Sequence, residues 1–379
     1  MSPDTPLAAL TQYVLWGGLC IGLVFGAVSQ ATRFCVRGAI ADWTIFHGPA
    51  RLVAWLMAVA VGAVVVQLLI ATNALDATRT LAWSDRLPWV SCLFGGLLFG
   101  YGMILCGGCP QRSLVKAGSG NLKAVFTLFV VAIAAAMTLR GLLAQLRVSV
   151  FDRWTVQLGG SQDAGHLLSS AFGASPDALR WGLVLLVVVA VAAFAWRVRR
   201  ALDAATVIGG AAVGLLLGAA LFLTGHIGFL AEHPETLEPA WLGTQSRRPE
   251  GLSFSAPMAH LLDLLTLWSD KSMGPSFGVT LVLGVLVGAF ATAKLRGDFR
   301  WELFNSPREF GGHLLGGVLM GFGGVTALGC SVGNGVTGLA LLSTGSALAV
   351  AGIVAGARAA LWMQGVRAEK AQAASALAS

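Results

Sequence analysis

Two cysteines of this 379-residue chain occupy the same place in two similar motifs. Cys109 lies in the segment GGCPQR and Cys330 in the segment GCSVGN, each directly after a glycine. A thiol is a small apolar group with a weak S–H donor and a weak sulfur acceptor. It can contact a soft anion without trapping it as a Lys or Arg would, and transport needs binding that is weak enough to release. The motifs therefore predict a shared site for a small, sulfur-bearing anion.

The residues that flank the two cysteines predict the backbone that carries them. Gly108, Gly329 and Pro110 make continuous helices through these stretches unfavourable. A helix that begins at Pro110 presents free backbone N–H groups with proline at the favoured first position, and such a helix end attracts anions. We expect a half-helix to follow Cys109 and another to follow Cys330, with both N-termini directed at one anion.

Polar residues near these motifs complete the candidate substrate path. Arg112 lies on the first turn of the first half-helix, where it would attract the anion or bind loop carbonyls. Asn334 would cap the second half-helix or bind a carbonyl. Cys35 follows the first apolar run between Arg33 and Arg37, and nearby cations favour a thiolate. Cys35 is therefore either a sulfur contact at the inner mouth or a packing residue.

A different class of function remains open because Cys106 and Cys109 form a Cys-x-x-Cys pair. Such a pair could serve a membrane thiol–disulfide or sulfur-transfer enzyme. Redox pairs of this kind usually accompany a βαβ pattern, which this sequence lacks. The histidines have no metal-site spacing and no nucleotide-binding motif is present, so we expect no catalytic residue, metal or cofactor.

The composition predicts the elements that must position these residues. Hydrophobic residues make up 56% of the chain and charged residues 11%, whereas soluble domains have about 25% charged residues. The apolar runs do not alternate as barrel strands do, and several reach the roughly 20 residues that a spanning helix needs. We predict an all-α polytopic membrane protein, a single membrane domain over residues 1–379. Its crossings, about nine in number, lie near 8–30, 51–72, 89–118, 122–141, 179–196, 203–227, 275–294, 310–341 and 345–366.

The distribution of Lys and Arg predicts the orientation of these crossings. With the N-terminus outside, fourteen basic residues fall on the inner side and nine on the outer side, as the positive-inside rule requires. The cluster WRVRR at 196–200 contributes most to this difference. The segment MSPDTPLAAL has no basic region, so we expect no cleaved signal peptide. We predict a periplasmic N-terminus and a cytoplasmic C-terminus in a bacterial inner membrane.

Internal similarity predicts that the two motifs are related by an inverted repeat. The run that begins at Gly95 aligns without gaps to the run at Gly316, and Gly17–Phe34 aligns to Gly209–His226. An odd number of crossings between equivalent helices makes the two copies run in opposite directions, an arrangement that places transporter sites on broken helices near the midplane. We assign repeat A to 8–141, the connecting loop and helix 5 to 142–202, and repeat B to 203–366.

The segments RFCVRGA, GGCPQRSLVKAGSGN and GCSVGNGVTG resemble the signatures of the YeeE/YedE sulfur-transport family of bacterial inner-membrane proteins. The resemblance implies uptake of thiosulfate along a central path lined by cysteines, which would be Cys109 and Cys330 at the waist and Cys35 toward the cytoplasm. It also implies membrane lipid as the surroundings and, for some members, a small sulfur-carrier partner of the TusA type. Links of other members to selenium leave the exact anion open.

Overall fold

The computed structural model describes residues 6–80, 83–173, 175–234, 236–270 and 273–378. This part of the chain contains nine long α-helices and five short ones. The segment MSPDT, on which the signal-peptide expectation rests in part, lies outside this range. The long helices are α1 (Pro6–Thr32), α3 (Ala50–Ala71), α4 (Trp89–Leu105), α6 (Leu122–Leu139), α9 (Pro176–Arg197), α10 (Ala204–Phe222), α12 (Phe277–Arg296), α13 (Pro307–Thr326) and α14 (Thr344–Ala378). The short ones are α2 (Val36–Ala41), α5 (Pro110–Gly118), α7 (Leu142–Leu146), α8 (Ala164–Phe172) and α11 (Ala256–Thr266).

Other regular structure is brief. Single π-helical turns cover Asp42–Phe46, Arg147–Phe151, Leu223–Ile227 and Gly333–Gly338, and 3₁₀ turns cover Ala77–Arg79 and Arg199–Ala201. Four two-residue strands, β1 (Arg86–Leu87), β2 (Val156–Gln157), β3 (Phe229–Leu230) and β4 (Ala240–Trp241), form two antiparallel pairs, β1 with β2 and β3 with β4. These pairs lie in the long loops and do not alter the helical class.

Eight stretches of the described chain are long and apolar enough to span a membrane, which confirms the predicted all-α polytopic class. They are Leu7–Phe46, Ala50–Ala71, Trp89–Gly118, Leu122–Leu139, Pro176–Arg197, Ala204–Ile227, Phe277–Arg296 and Thr344–Lys370. The remaining predicted crossing, 310–341, is α13 followed by a break and the turn Gly333–Gly338. Helix α13 has 20 residues but is rich in glycine and begins with Arg308 and Glu309, which lowers its hydropathy.

The long helices pack in pairs through glycine. Helix α1 lies against α12, α10 against α3, α4 against α14, and α13 against both α4 and α6. A Cβ at Gly22 would overlap the backbone carbonyl of Leu281, and a Cβ at Gly100 would overlap that of Ile353. Glycine therefore allows these helix backbones to approach to direct contact, as in other membrane helix bundles.

A loop between β4 and α11, residues 249–255, enters the middle of the bundle; we call it the inserted loop. Its Leu252 and Phe254 are fully buried, and the Phe254 ring lies 5.3 Å from that of Phe25 in α1. The Thr337 hydroxyl donates a 2.9 Å hydrogen bond to the Leu252 carbonyl. The inserted loop is thereby attached to the turn that follows Cys330.

Candidate functional site

The first break lies between α4 and α5. Helix α4 ends at Leu105, and Gly107 adopts a left-handed φ of 66°. The N–H groups of Gly107 and Gly108 then bond to the carbonyls of Ile104 (3.2 Å) and Met103 (3.0 Å). This is the Schellman arrangement that closes a helix C-terminus, and it favours glycine at the left-handed position. The chain can then restart as α5, with Cys109 at the N-cap and Pro110 as the first helical residue.

The second break, between α13 and the turn Gly333–Gly338, repeats this backbone pattern residue by residue. Leu328 takes the left-handed position with φ 58°. The N–H of Leu328 bonds to the Val325 carbonyl (3.1 Å), and that of Gly329 bonds to the Gly324 carbonyl (2.9 Å). Each bond matches the one at the aligned residue of the first break. Leucine is uncommon in this conformation, which costs roughly 1–2 kcal/mol for a residue with a Cβ, so the surrounding structure must impose it.

A third break, which the sequence reasoning missed, separates α1 from α2. Arg33 has a φ of 56°, and Cys35 is the N-cap of α2. The sequence predicts that Cys35 lies beyond the end of a span. In the structure it begins another short helix within the apolar stretch Leu7–Phe46. A sequence signal was present, because CVRG at Cys35 and CSVG at Cys330 share the spacing Cys-x-x-Gly.

The three candidate path cysteines each lie beside the backbone N–H three residues along the chain, and Cys35 and Cys330 accept a hydrogen bond from it whereas Cys109 does not. The Cys35 sulfur accepts a hydrogen bond from the Gly38 N–H, and the Cys330 sulfur accepts one from the Gly333 N–H, both at 3.3 Å. The Cys109 sulfur lies beside the N–H of Arg112, again three residues along the chain. Each thiol therefore sits at the positive end of a short helical segment.

The three thiols lie in one region of the fold. Cys109 is near enough to Cys35 and Cys330 for a charge on either to affect it, and its sulfur faces the hydroxyl of Ser331. Cys109 and Cys330 are fully buried, and Cys35 is 8% exposed. The Ser331 hydroxyl is buried beside this sulfur and has no partner at full hydrogen-bonding geometry within the described ranges. We call the region between Cys109 and Cys330 the waist.

Three cations that form no salt bridge among the described residues lie near the waist. Lys116 interacts electrostatically with Arg37, Arg112 and Cys35, and also with the acid Glu302. The Arg37 Nε and Arg112 Nη1 atoms are buried and make no hydrogen bond to the residues described. Both arginines are partly buried as residues, and a partly buried cation without an ion pair attracts anions because water screens it incompletely. Two roles were predicted for Arg112, attraction of the anion and binding of loop carbonyls. Among the described residues Arg112 bonds to no loop carbonyl, and Lys116 donates to the Gly107 carbonyl at 2.8 Å.

Asn334 holds the second break together. Its amide nitrogen donates to the carbonyls of Ala327 (2.9 Å) and Gly329 (2.8 Å), and its oxygen accepts from the Ser346 hydroxyl (3.0 Å). Of the two predicted roles, the structure shows the carbonyl partner. At the first break a different position, Lys116, satisfies the Gly107 carbonyl.

A cavity of about 480 Å³, the large cavity, reaches the second break from one end of the bundle. Its walls include Leu328, Gly333 and Asn334 at the break, Arg140 at the end of α6, and Glu250 in the inserted loop. It therefore connects the loops at that end with the residues just beyond Cys330.

A second cavity of about 280 Å³, the small cavity, reaches the first break from the opposite end of α6. Its walls include Gly107, Ser113 and Lys116, together with the ion pair between Lys123 and Glu309 (2.6 Å). The two cavities share no lining residue, and neither is lined by Cys109 or Cys330. The buried waist thus separates two cavities that open at opposite ends of the molecule.

Cys106 belongs to the small cavity and is turned away from the waist. Its thiol donates a 3.4 Å hydrogen bond to the His313 carbonyl of α13, and its electrostatic partner is Lys116. Cys20 is exposed on α1. Cys92 is buried beside Ala327 and Ala349, in agreement with a packing role.

Comparison with known proteins yields a family and two curated relatives. The family model described as sulphur transport matches residues 31–359. The thiosulfate transporter TsuA of Escherichia coli (strain K12) is 29% identical over 94% of this chain and 96% of its own length. The thiosulfate transporter TsuA of Spirochaeta thermophila is 25% identical over 89% of this chain and 94% of its own length. The matched residues of the family model include all three breaks.

Proposed function

The chain belongs to the sulphur transport family, and from this premise we propose that it carries thiosulfate, or a closely similar sulfur-containing anion, into the cell across a bacterial inner membrane. The names of both relatives support thiosulfate as the substrate. The observation that carries the mechanism is the meeting of Cys35, Cys109 and Cys330 between two separate cavities. A TusA-like carrier protein is a proposed recipient on the cytoplasmic side.

The proposed mechanism uses the waist as a weak, sulfur-lined anion site. An incoming anion would leave the large cavity, displace the packing between Cys109 and Cys330, and move toward Cys35 and the small cavity. The helical N–H groups beside each sulfur and the unpaired Arg37 and Arg112 offset the cost of removing the anion from water. Thiols add soft contacts that are weak enough to break, so the anion can move on.

Helix pairing supports the proposed inverted repeat, with repeat A at 8–141 and repeat B at 203–366. Exchange of α1 with α10 and of α3 with α12 converts the α1–α12 pair into the α10–α3 pair. Exchange of α4 with α13 and of α6 with α14 converts the α4–α14 pair into the α13–α6 pair. All four pairs are present among the most extensive helix contacts.

The cavities follow the same exchange. Aligned residues of the two breaks line opposite cavities: Ala327, Leu328, Asn334 and Thr337 line the large one, and Cys106, Gly107, Ser113 and Lys116 line the small one. We infer that the repeat builds one vestibule per membrane face, and we assign the large cavity to the periplasm and the small one to the cytoplasm from the Lys and Arg distribution.

The test is uptake of [³⁵S]thiosulfate by bacteria that lack other thiosulfate and sulfate importers. Cys109→Ala and Cys330→Ala should each reduce uptake to background while the protein is still present in the membrane. Cys20→Ala is the matched control and should transport normally, because Cys20 is exposed on α1. Normal uptake by the Cys109 and Cys330 variants would contradict the proposed path.

The alternative of a thiol enzyme makes a different prediction. It needs Cys106 and Cys109 as a working pair, so Cys106→Ser alone would abolish function. The transport mechanism predicts that Cys106→Ser retains uptake, because the Cys106 thiol bonds to the His313 carbonyl and faces the small cavity. The same uptake assay distinguishes the two.

A further inference from the structure

The N-terminus of α12 faces the large cavity with an unsatisfied hydroxyl. Ser276 is the N-cap of this 20-residue helix, yet its side chain makes no cap hydrogen bond. Ser276 and Gly278 both line the large cavity. Ser276 is only 3% exposed, and its hydroxyl has no hydrogen-bond partner among the described residues. An unpaired buried hydroxyl is costly, so its presence on a cavity wall points to a ligand.

The first turn of α12 supplies further donors at the same place. The Phe277 N–H is used, because it bonds to the Gly243 carbonyl at 2.7 Å. The N–H groups of Gly278 and Val279 have no acceptor within the ranges that the structure describes. Free N–H groups and the positive end of a long helix form a site suited to an anion.

Glu250 stands opposite this helix end. One of its carboxylate oxygens accepts hydrogen bonds from the N–H groups of Gln245 (2.9 Å) and Ser246 (2.8 Å). The other lies 3.9 Å from the position that a Cβ at Gly278 would occupy. In its charged form Glu250 would repel a second anion at this distance. Burial raises the pKa of Glu250, and those hydrogen bonds partly offset this effect.

The other charged groups around this cavity are either paired with one another or exposed to solvent. Arg140, at the end of α6, forms an ion pair with Asp263 of α11, and His260 of α11 lies beside both. In the turn before Glu250, Arg247 and Arg248 are exposed, as is His226 at the end of α10. Within the described chain no cation forms an ion pair with Glu250.

We propose that the Ser276 hydroxyl and the first-turn N–H groups of α12 form an entry site for thiosulfate, which is occupied when Glu250 carries a proton. The inference rests on the proposed function and adds a second anion site upstream of the waist. Proton and anion bind together at this site. Anion affinity is therefore highest when Glu250 is protonated and falls by up to about tenfold per pH unit once it ionises.

The first test isolates the entry site from the waist. Purified protein with Cys109→Ala and Cys330→Ala should still bind about one [³⁵S]thiosulfate per chain at pH 6 by equilibrium dialysis. Adding Ser276→Asp should weaken this binding by at least about tenfold, because a fixed negative charge replaces the donor, while aspartate remains a good N-cap. Ser175→Asp is the matched control, since Ser175 is an exposed N-cap of α9 that also lacks a side-chain cap bond, and it should leave binding unchanged.

The second test concerns the proton. Binding to the protein with native Glu250 should weaken as the pH is raised through the titration of this carboxyl, whereas Glu250→Gln should bind with equal affinity at every pH. Glutamine keeps an acceptor for the Gln245 and Ser246 N–H groups, so the turn should persist. Glu238→Gln, the same change on an exposed loop residue, should retain the pH dependence.

The outcomes separate this inference from the proposed function. If native protein takes up thiosulfate but the Cys109 and Cys330 double variant binds none, the entry site is refuted and the proposed function stands. The inference is also overturned if Ser276→Asp binds normally, if Glu250→Gln keeps the pH dependence, or if His260→Gln removes it instead. If native protein transports no thiosulfate at all, the proposed function itself fails.

Discussion

At the residue scale, the position of a cysteine relative to a backbone break separates path candidates from the others. Cys35, Cys109 and Cys330 each precede a short helical segment and lie beside the N–H three residues on. Cys92 and Cys106 are equally buried but lie at the start and at the C-terminal cap of α4. The same side chain can therefore contact an anion in one backbone setting and only pack in another.

The left-handed residues of the two breaks give a residue-scale prediction. Gly107→Ala should lower the free energy of unfolding by about 1 kcal/mol, because a Cβ in this conformation is strained. No clash contributes, since the nearest side-chain atom to that Cβ would be the Lys116 Nζ at 3.6 Å. Leu328→Gly should cause no loss of stability, because it relieves the same strain and the Leu328 side chain is 58% exposed.

Thermal unfolding of the purified variants in detergent checks this pair. The melting temperature of Leu328→Gly should equal or exceed that of the native protein, and that of Gly107→Ala should be lower. If Leu328→Gly were destabilised as strongly as Gly107→Ala, the Leu328 side chain would be holding the break, and backbone strain would not explain its conformation.

The backbone breaks could be predicted from the sequence where the residue type dictates the backbone. Paired glycines and Pro110 indicate the first break, and the alignment transfers it to Cys330. The sequence did not indicate Ser276 or Glu250. Ser276 is the N-cap of α12 and Glu250 closes the 245–250 turn, and both lie far along the chain from the Cys motifs. Their place depends on how a loop folds against the bundle, for which local patterns carry little information.

At the scale of elements, close helix pairs depend on glycine at the contact. Gly100→Ala should destabilise the protein by about 1–3 kcal/mol, because its Cβ would overlap the Ile353 backbone and force α4 away from α14. Gly182→Ala is the matched control. Gly182 lies in α9 with nothing within 4 Å of a Cβ, so the change should stabilise by about 0.5–1 kcal/mol through helix propensity.

The melting temperature and the yield of membrane-inserted protein measure this prediction. Equal behaviour of the Gly100 and Gly182 variants would show that α4 and α14 can separate without cost.

The crossings themselves were readily predicted from hydropathy, but the ends were not. The π-helical turn Gly333–Gly338 follows Cys330 in place of an α-helix, because a run with three glycines has weak α-helical preference.

At the scale of the whole molecule, the proposed orientation can be tested by labelling. In a variant with native cysteines replaced by alanine, Ser246→Cys should react with a membrane-impermeant maleimide in intact spheroplasts. Trp301→Cys should react only after permeabilisation. Both positions are exposed, and they lie on loops at opposite ends of the bundle. The reverse pattern would show that the large cavity faces the cytoplasm.

The central claim is that one anion is shared by the two breaks at the waist. A structure of the protein determined with thiosulfate tests it most directly. The account predicts density for the anion in contact with the sulfurs of both Cys109 and Cys330. The claim would be contradicted if thiosulfate were bound in a continuous passage and contacted neither the Cys109 nor the Cys330 sulfur.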